Sequence, residues 1–510
     1  MELNLQRQSI TINEVVYDGD MEQPVECDAL LPDYCPDIVK VLKCALTTNI
    51  GSTTLNGDRL TIEGVAVAHV YYTSGGCAIR HTEYKIPFGK TVDLKEAPQF
   101  PVVTVVPKTD YVNCRAVNQR RIDIRGAITL SVKVTTSKEE NVISDANGAG
   151  LQLRRDIVDA TEIVGQHDST FPIQEELECG YGKPAIGNIV RSDCKVNVVD
   201  HKMVSGKVVL KAEMLLHISY QPVESEELEI MKYNLPISQI LDCDGVDENC
   251  VCDIQVYVAN CDIMPKADEA GEYKAFTLDA KIRAGITAHQ HKEIPVASDC
   301  YSTDFESNSQ IRPVSFMRLV DVIRENILHK SDMDLPEEID SVLDAWCEVD
   351  NVSWGFEDHS LVATIRIIVS LFAKMLDGEC QYFEQPTELV HKVNVPCSGG
   401  GIRFDPTSDI LSCDYSLQGK EKIDIRCEVL LGGCLYCNIM HNSIGDITLK
   451  EDAPKIKQKN KLILYYADAG ESVWNIAKHY NTAPGGIWEE NTLENDVLPQ
   501  KKMLMIPISD

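Results

Sequence analysis

Pairs of candidate metal ligands are the first chemistry this chain offers. His289-x-His291 places two imidazoles two residues apart, and Cys434-x-x-Cys437 has the spacing of half a zinc site. Structural zinc takes about four convergent ligands, and neither pair has a second half at a matching distance along the chain. The reading is solvent-facing histidines and strand-end thiols. Cys250-x-Cys252, if on a strand, turns both sulfurs to one face, which is again half a site and reads as buried or idle thiols. Ser398-Gly-Gly-Gly401 is followed by Ile-Arg, so it reads as a turn and not as a phosphate cradle. The chain has no Gly-x-Ser-x-Gly elbow and no His-Glu-x-x-His pair. No two carboxylates share an apolar setting that would separate their pKa values. The expectation is no catalytic residue, no metal ligand and no cofactor.

The elements that would carry any site are those of a sizeable acidic protein. At 510 residues the chain has room for three or four domains. Its 48 Lys+Arg against 79 Asp+Glu leave a net charge of −31, a field that repels nucleic acid and anionic lipid. Met1 to Gln8 lacks a basic start followed by an apolar run, and no stretch approaches ~18 uninterrupted apolar residues. These features predict a cytoplasmic chain with no membrane insertion. Nineteen cysteines lie scattered from Cys27 to Cys437, most of them expected as buried thiols behaving as small apolar groups. Later oxidative cross-linking is the alternative.

Six alternating segments organise most of the chain. They begin at Arg59, Arg121, Val208, Phe276, Leu361 and Ile423, and their period of two marks strands with one buried face. Small residues in mid-strand (Gly64, Gly126, Ala212, Ala284) suggest bends or bulges where two sheets approach closely. Arg59 to Lys207 is 148 residues and Lys207 to Ser360 is 153. Pro36, Pro184 and Pro336 keep step, as do Cys114, Cys261 and Cys413. After each proline comes an apolar cluster that reads as a short helical turn: Ile38 to Leu42, Ile186 to Val190, and Ile339 to Leu343. The expected fold is mainly β, with tandem β-sandwich-like modules over 1–148, 149–305 and 306–450 and a polar linker over 451–460.

Residues 461–510 read differently. Leu462 to Tyr466 is strand-like, Val473 to Tyr480 an amphipathic helix with Ser472 at its N-cap, Pro484 to Glu490 a second short helix, and Lys502 to Pro507 a closing strand. The result is a small α+β unit of order βααβ.

Gly470-Glu-Ser-Val-Trp-Asn-Ile-Ala477, Asn491, Leu498-Pro499 and Leu504-Met-Ile-Pro507 resemble the LysM domain throughout its length. The departures are Ala469-Gly470-Glu471 for the usual Pro-Gly-Asp turn and Pro499-Gln500 for the late Pro-Gly. The resemblance implies a shallow groove with Gly470, Glu471, Ser472 and Val473 facing Asn495, Asp496, Val497 and Leu498. Trp474 stands either at the core edge or as an exposed contact. In that family the groove accepts N-acetylglucosamine-containing glycans. Leu30-Leu-Pro-Asp-Tyr-Cys-Pro-Asp-Ile-Val-Lys-Val-Leu42, with the strand pairs after it, resembles the SPOCS domain. SPOCS repeats followed by a LysM resemble the SipL-like spore coat morphogenetic family. That resemblance implies a non-enzymatic scaffold in endospore coat assembly, cytoplasmic in the mother cell and at the forespore surface. Its implied partners are the spore coat morphogenetic ATPase and other coat proteins. Peptidoglycan or a chitin-type glycan is the alternative ligand, and no nucleic acid is expected. A LysM-targeted hydrolase would need export and a catalytic pair.

Overall fold

The six alternating segments become the central strands of six three-stranded antiparallel sheets. A central strand is paired on both edges and turns one face to a core, so its alternation is the most regular of any strand. The computed structural model describes residues 3–99, 101–148, 150–180, 182–268, 270–396, 401–455 and 462–508. The first module comprises β1 (Asn4–Leu30), β2 (Lys40–Asn56), β3 (Arg59–Thr73), β4 (Ile79–Asp93), β5 (Pro101–Asn118) and β6 (Arg121–Asn147). The second comprises β7 (Leu151–Glu178), β8 (Ile186–Val204), β9 (Lys207–Pro222), β10 (Glu229–Asp242), β11 (Val251–Ala267) and β12 (Tyr273–Ser302). In the third are β13 (Phe305–Asp334), β14 (Ile339–Glu357), β15 (Ser360–Met375), β16 (Cys380–Asn394), β17 (Ile402–Gln418) and β18 (Lys422–Pro454).

Each module is a sandwich of two sheets. In the first, the meander β2-β3-β4 faces the sheet β1-β6-β5, and Leu60, Ile62 and Tyr72 of β3 meet Ile122, Ile124 and Ile128 of β6 in one core. Gly126 marks the close approach: a Cβ there would stand 2.6 Å from the Tyr111 carbonyl oxygen and 3.0 Å from Leu46 Cδ1 of the opposite sheet. A cysteine pair crosses between the sheets at the same place in every module. Cys44 and Cys114 form a disulfide, the thiols of Cys194 and Cys261 are close enough to perturb each other's ionisation, and the sulfurs of Cys347 and Cys413 lie 3.5 Å apart. A second disulfide, Cys77–Cys380, joins the first module to the third.

Three expectations are corrected. The apolar clusters after Pro36, Pro184 and Pro336 are not helical turns: Ile38 and Val39 lead directly into β2, and the other two clusters are the starts of β8 and β14. Register shifts at Val41/Lys43, Ile189/Arg191 and Val342/Asp344 insert an extra residue there. A bulge breaks the period of two and leaves apolar residues three and four apart, which imitates a helix. Residues 451–454, read as linker, continue β18, with Pro454 opposite Phe305. Residues 456–460 of that linker and 398–400 of the glycine turn lie outside the described residues. His289 is not solvent-facing: it is 1% exposed and packs edge-on against Tyr436, with ring centroids 5.8 Å apart.

The modules converge in two places. Val16, Val164 and Val320 are each the extra residue of a bulge in the long first strand of their module, where the strand bends. Beyond it the strand ends meet, and Ile10, Val142, Val158, Ile294, Val314 and Phe316 form a core drawn from all three modules. The meanders meet at a second such core that holds Tyr71, Ile79, Val190, Leu343, Trp346 and Phe372. Lys43, Arg191 and Asp344 are equivalent residues at this junction, each directly after its bulge and opposite Tyr71, Ser219 and Phe372 respectively.

The C-terminal unit consists of β19 (Leu462–Ala467), α1 (Val473–Tyr480), α2 (Pro484–Asn491) and β20 (Lys502–Pro507). Val473, Ile476, Ala477, Ile487, Leu504 and Ile506 make its core, and Tyr301 of the second module enters the same cluster. Both helices stop at a left-handed residue, Asn481 and Thr492, whose backbone N–H caps the preceding carbonyls.

Candidate functional site

The groove expected in the C-terminal unit is built by two segments that hydrogen-bond to each other. Gly470 N donates to Leu498 O at 2.9 Å, Leu498 N to Glu471 O at 2.9 Å, and Val473 N to Asp496 O at 2.7 Å. Ser472 and Val497 form a bridge. The Ser472 hydroxyl does not cap α1; it donates to Asp496 Oδ2 at 2.7 Å, and the other carboxylate oxygen of Asp496 accepts the Trp474 N–H at 2.9 Å. Asp496 thus supplies the negative charge that a helix N-terminus favours. Glu471 is tied down as well, accepting from the Asp468 N–H and the Tyr465 hydroxyl. Val473 and Leu498 are buried, which leaves Gly470, Asn495 and Val497 exposed on the rim.

Trp474 is not an exposed contact. Its indole N–H donates to Asp299 Oδ2 at 2.8 Å, its ring meets Tyr301 edge-on at 5.0 Å, and it is 5% exposed. Lys478 pairs with the same carboxylate at 2.7 Å, and the Tyr301 hydroxyl donates to Thr482 O at 2.6 Å. These contacts seat α1 on the end of β12, and the indole is consumed in docking.

A surface that sequence reasoning passed over lies on the hairpin β19–β20. One face of β19, with Ile463, Tyr465 and Ala467, packs inward. The other shows Leu462, Leu464 and Tyr466, the last 77% exposed, and the exposed Met503 of β20 stands opposite Tyr466. The signal was present: in a two-stranded sheet, a run that is apolar at every position must leave one apolar face uncovered.

At the junction of the modules the side chains are polar and paired. Asp344 is fully buried; it accepts from Arg191 Nε at 2.9 Å and lies 3.0 Å from His217 Nε2. Burial works against its charge, but Arg191 and His217 outweigh that and hold the carboxyl well below the usual carboxylate range. Arg191 also lies over the Trp346 ring at 4.7 Å. Lys43 reaches Glu384 of the third module at 2.6 Å. A cleft of about 740 Å³ runs between the second and third modules, bridged by Lys195–Asp409 at 2.8 Å and Lys232–Asp414 at 2.7 Å. Beside the junction His69, His81 and Glu83 share one face of β3–β4. Burial, and then His69, push the His81 imidazole down to about 3.

Comparison with known families gives a direct match: the family model described as SipL, SPOCS domain matches residues 37–117 and 185–266. Two of the three modules are SPOCS domains. The matched spans run from the head of the meander into the return strand, β2 to β5 and β8 to β11. They point to a sporulation-related role. The third module repeats the SPOCS strand order and its bulge at the same site, although the match does not extend to it. It also differs at the junction, with Asp344 where the two SPOCS domains carry Lys43 and Arg191. No curated protein and no solved structure matches the chain. Among the described residues no helix is long and apolar enough to cross a membrane.

Proposed function

We propose that this chain is a non-enzymatic scaffold and adaptor in endospore coat assembly, acting in the mother-cell cytoplasm at the forespore surface. The three modules form a body to which coat proteins attach. The C-terminal unit, LysM-like in its sequence blocks, docks that body to the coat morphogenetic ATPase. The observation that carries the reading is the uncovered apolar face of β19–β20, with Leu462, Leu464, Tyr466 and Met503 exposed together. Tyr and Met are enriched at protein interfaces, and covering each large side chain contributes roughly 1.5–3 kcal/mol. The alternative is peptidoglycan or another N-acetylglucosamine glycan held at the rim of Gly470, Asn495 and Val497.

The two are separated with the tagged full chain. Extracts of sporulating cells should yield the coat ATPase, and Leu464→Ser/Tyr466→Ser should reduce its recovery tenfold or more. The reading fails if recovery is unchanged by that pair. It also fails if the chain sediments with purified peptidoglycan and Asn495→Ala/Val497→Ser abolishes the sedimentation.

A further inference from the structure

We propose that His69, His81 and Glu83 form a binding site for a divalent transition-metal ion of the zinc class, with three protein ligands and one open position. Neither histidine belongs to a ligand-spaced motif; the hairpin β3–β4 brings them together. His69 and Glu83 are direct cross-strand partners, and His81 lies two residues before Glu83 on the same face.

The spacing of the donor atoms is what the ion requires. A tetrahedral site with bonds of about 2.0–2.1 Å places neighbouring ligand atoms roughly 3.3–3.4 Å apart. His69 Nδ1 lies 3.2 Å from His81 Nε2 and 3.6 Å from Glu83 Oε1, and the three donor atoms fall within 4.8 Å of one another. These two distances lie within a few tenths of an ångström of the tetrahedral spacing; seating an ion also takes a turn of the two facing imidazoles and a rotation of the Glu83 carboxylate towards His81. In the ion-free chain the two facing nitrogens share a proton in a hydrogen bond; when an ion binds, that proton moves to Nδ1 of His81, which leaves His81 Nε2 and His69 Nδ1 as the lone-pair ligands of two neutral imidazoles.

The ligands are also held from behind. His69 Nε2 lies 2.8 Å from Thr47 Oγ1 of β2, which leaves Nδ1 as the lone-pair nitrogen when Nε2–H donates. The His69 and His81 rings lie edge to edge near one plane, 12° apart with centroids 5.4 Å apart, and His81 stacks on Tyr71 at 4.8 Å. Tyr71 in turn packs on Phe372 of the third module at 5.5 Å. The His69 and Glu83 side chains are 19% and 47% exposed, so an ion can enter from solvent. Water, or a ligand atom from a docked protein, would fill the fourth position.

Cobalt(II) titration of the reduced full chain tests the assignment, because cobalt reports its ligands by colour. The expected result is one tightly bound ion with the d–d bands of a four-coordinate nitrogen and oxygen site and no thiolate-to-cobalt charge-transfer band. Glu83→Ala and His69→Gln should each weaken binding tenfold or more with an unchanged far-UV circular dichroism spectrum. Thr47→Val should weaken it roughly 10- to 100-fold by releasing His69. Absence of binding, a charge-transfer band that survives in Glu83→Ala, or wild-type affinity in both ligand variants would overturn the proposal.

Discussion

Changing Asp344 to alanine takes from the buried Arg191 guanidinium its close counter-charge between the second and third modules and leaves only the part-exposed Asp193 carboxylate, at 3.8 Å. Arg191 keeps only 8% of its side-chain surface and Asp344 none, so water cannot replace the lost partner. Two close contacts vanish, at 2.9 Å to Arg191 and 3.0 Å to His217; the third, at 3.5 Å, is too long to count for much. Hydrogen bonds to charged groups contribute about 1.5–3 kcal/mol each, and breaking one side of a buried pair costs about 3–5 kcal/mol. We take about 4 kcal/mol, which is close to a thousandfold in the opening equilibrium of the seam. Native-state hydrogen exchange is the suitable assay, because three modules need not unfold as one. Amides of β8 and β14 should exchange about a thousandfold faster in Asp344→Ala. Arg191→Met/Asp344→Leu should recover most of that protection, since it removes the stranded charge together with its partner. Exchange within threefold of wild type in the single variant would refute the reasoning. A double variant no better than the single would also refute it.

Three further outcomes are expected. Asp299→Ala should release α1 from the second module, because it removes the acceptor of both Trp474 and Lys478; a loss of about 1–3 kcal/mol should appear as faster hydrogen exchange of the α1 amides. Burial lowers His289 to about 4 in the folded chain, against about 6.5 unfolded, so the unfolded state binds the proton first. His289 should therefore contribute a fall in stability on the order of 2–3 kcal/mol as pH drops from about 6.5 towards 4, and the pH slope of His289→Phe should be shallower by that amount, with His81, held at about 3, still contributing. The depressed carboxyl of Asp344 adds nothing in this window, because its contribution is lost only in stronger acid. Cys44→Ser should cost roughly 3–5 kcal/mol in the first module under oxidising conditions and almost nothing with reductant, since the disulfide closes a separation of 70 residues.

The central strands were legible because each keeps one face in a core for its whole length. Their neighbours were harder to read where bulges interrupt the alternation, and Ile339 to Leu343 is the clearest case: its spacing suits a helix only because register shifts follow Ile339 and Val342. Ser472 was legible as the first residue before α1, but not its true capping partner, since Asp496 arrives from 24 residues downstream. The fate of Trp474 depends on Asp299, 175 residues away, and His69 gains its neighbours only through hairpin register. Local spacing carries no trace of such meetings. The apolar face of β19 was different, because alternation and sheet size alone required it.

The equivalent positions Lys43, Arg191 and Asp344 show what covalent fusion permits. Three identical subunits meeting at this junction would bring the same residue in triplicate, and three cations or three carboxylates would repel one another. One continuous chain escapes that rule, because each copy can mutate alone. The third copy supplies the anion that answers the second copy's cation. The three contacts of the junction are therefore not interchangeable: the buried ion pair joins the second copy to the third, and the first copy has no part in it.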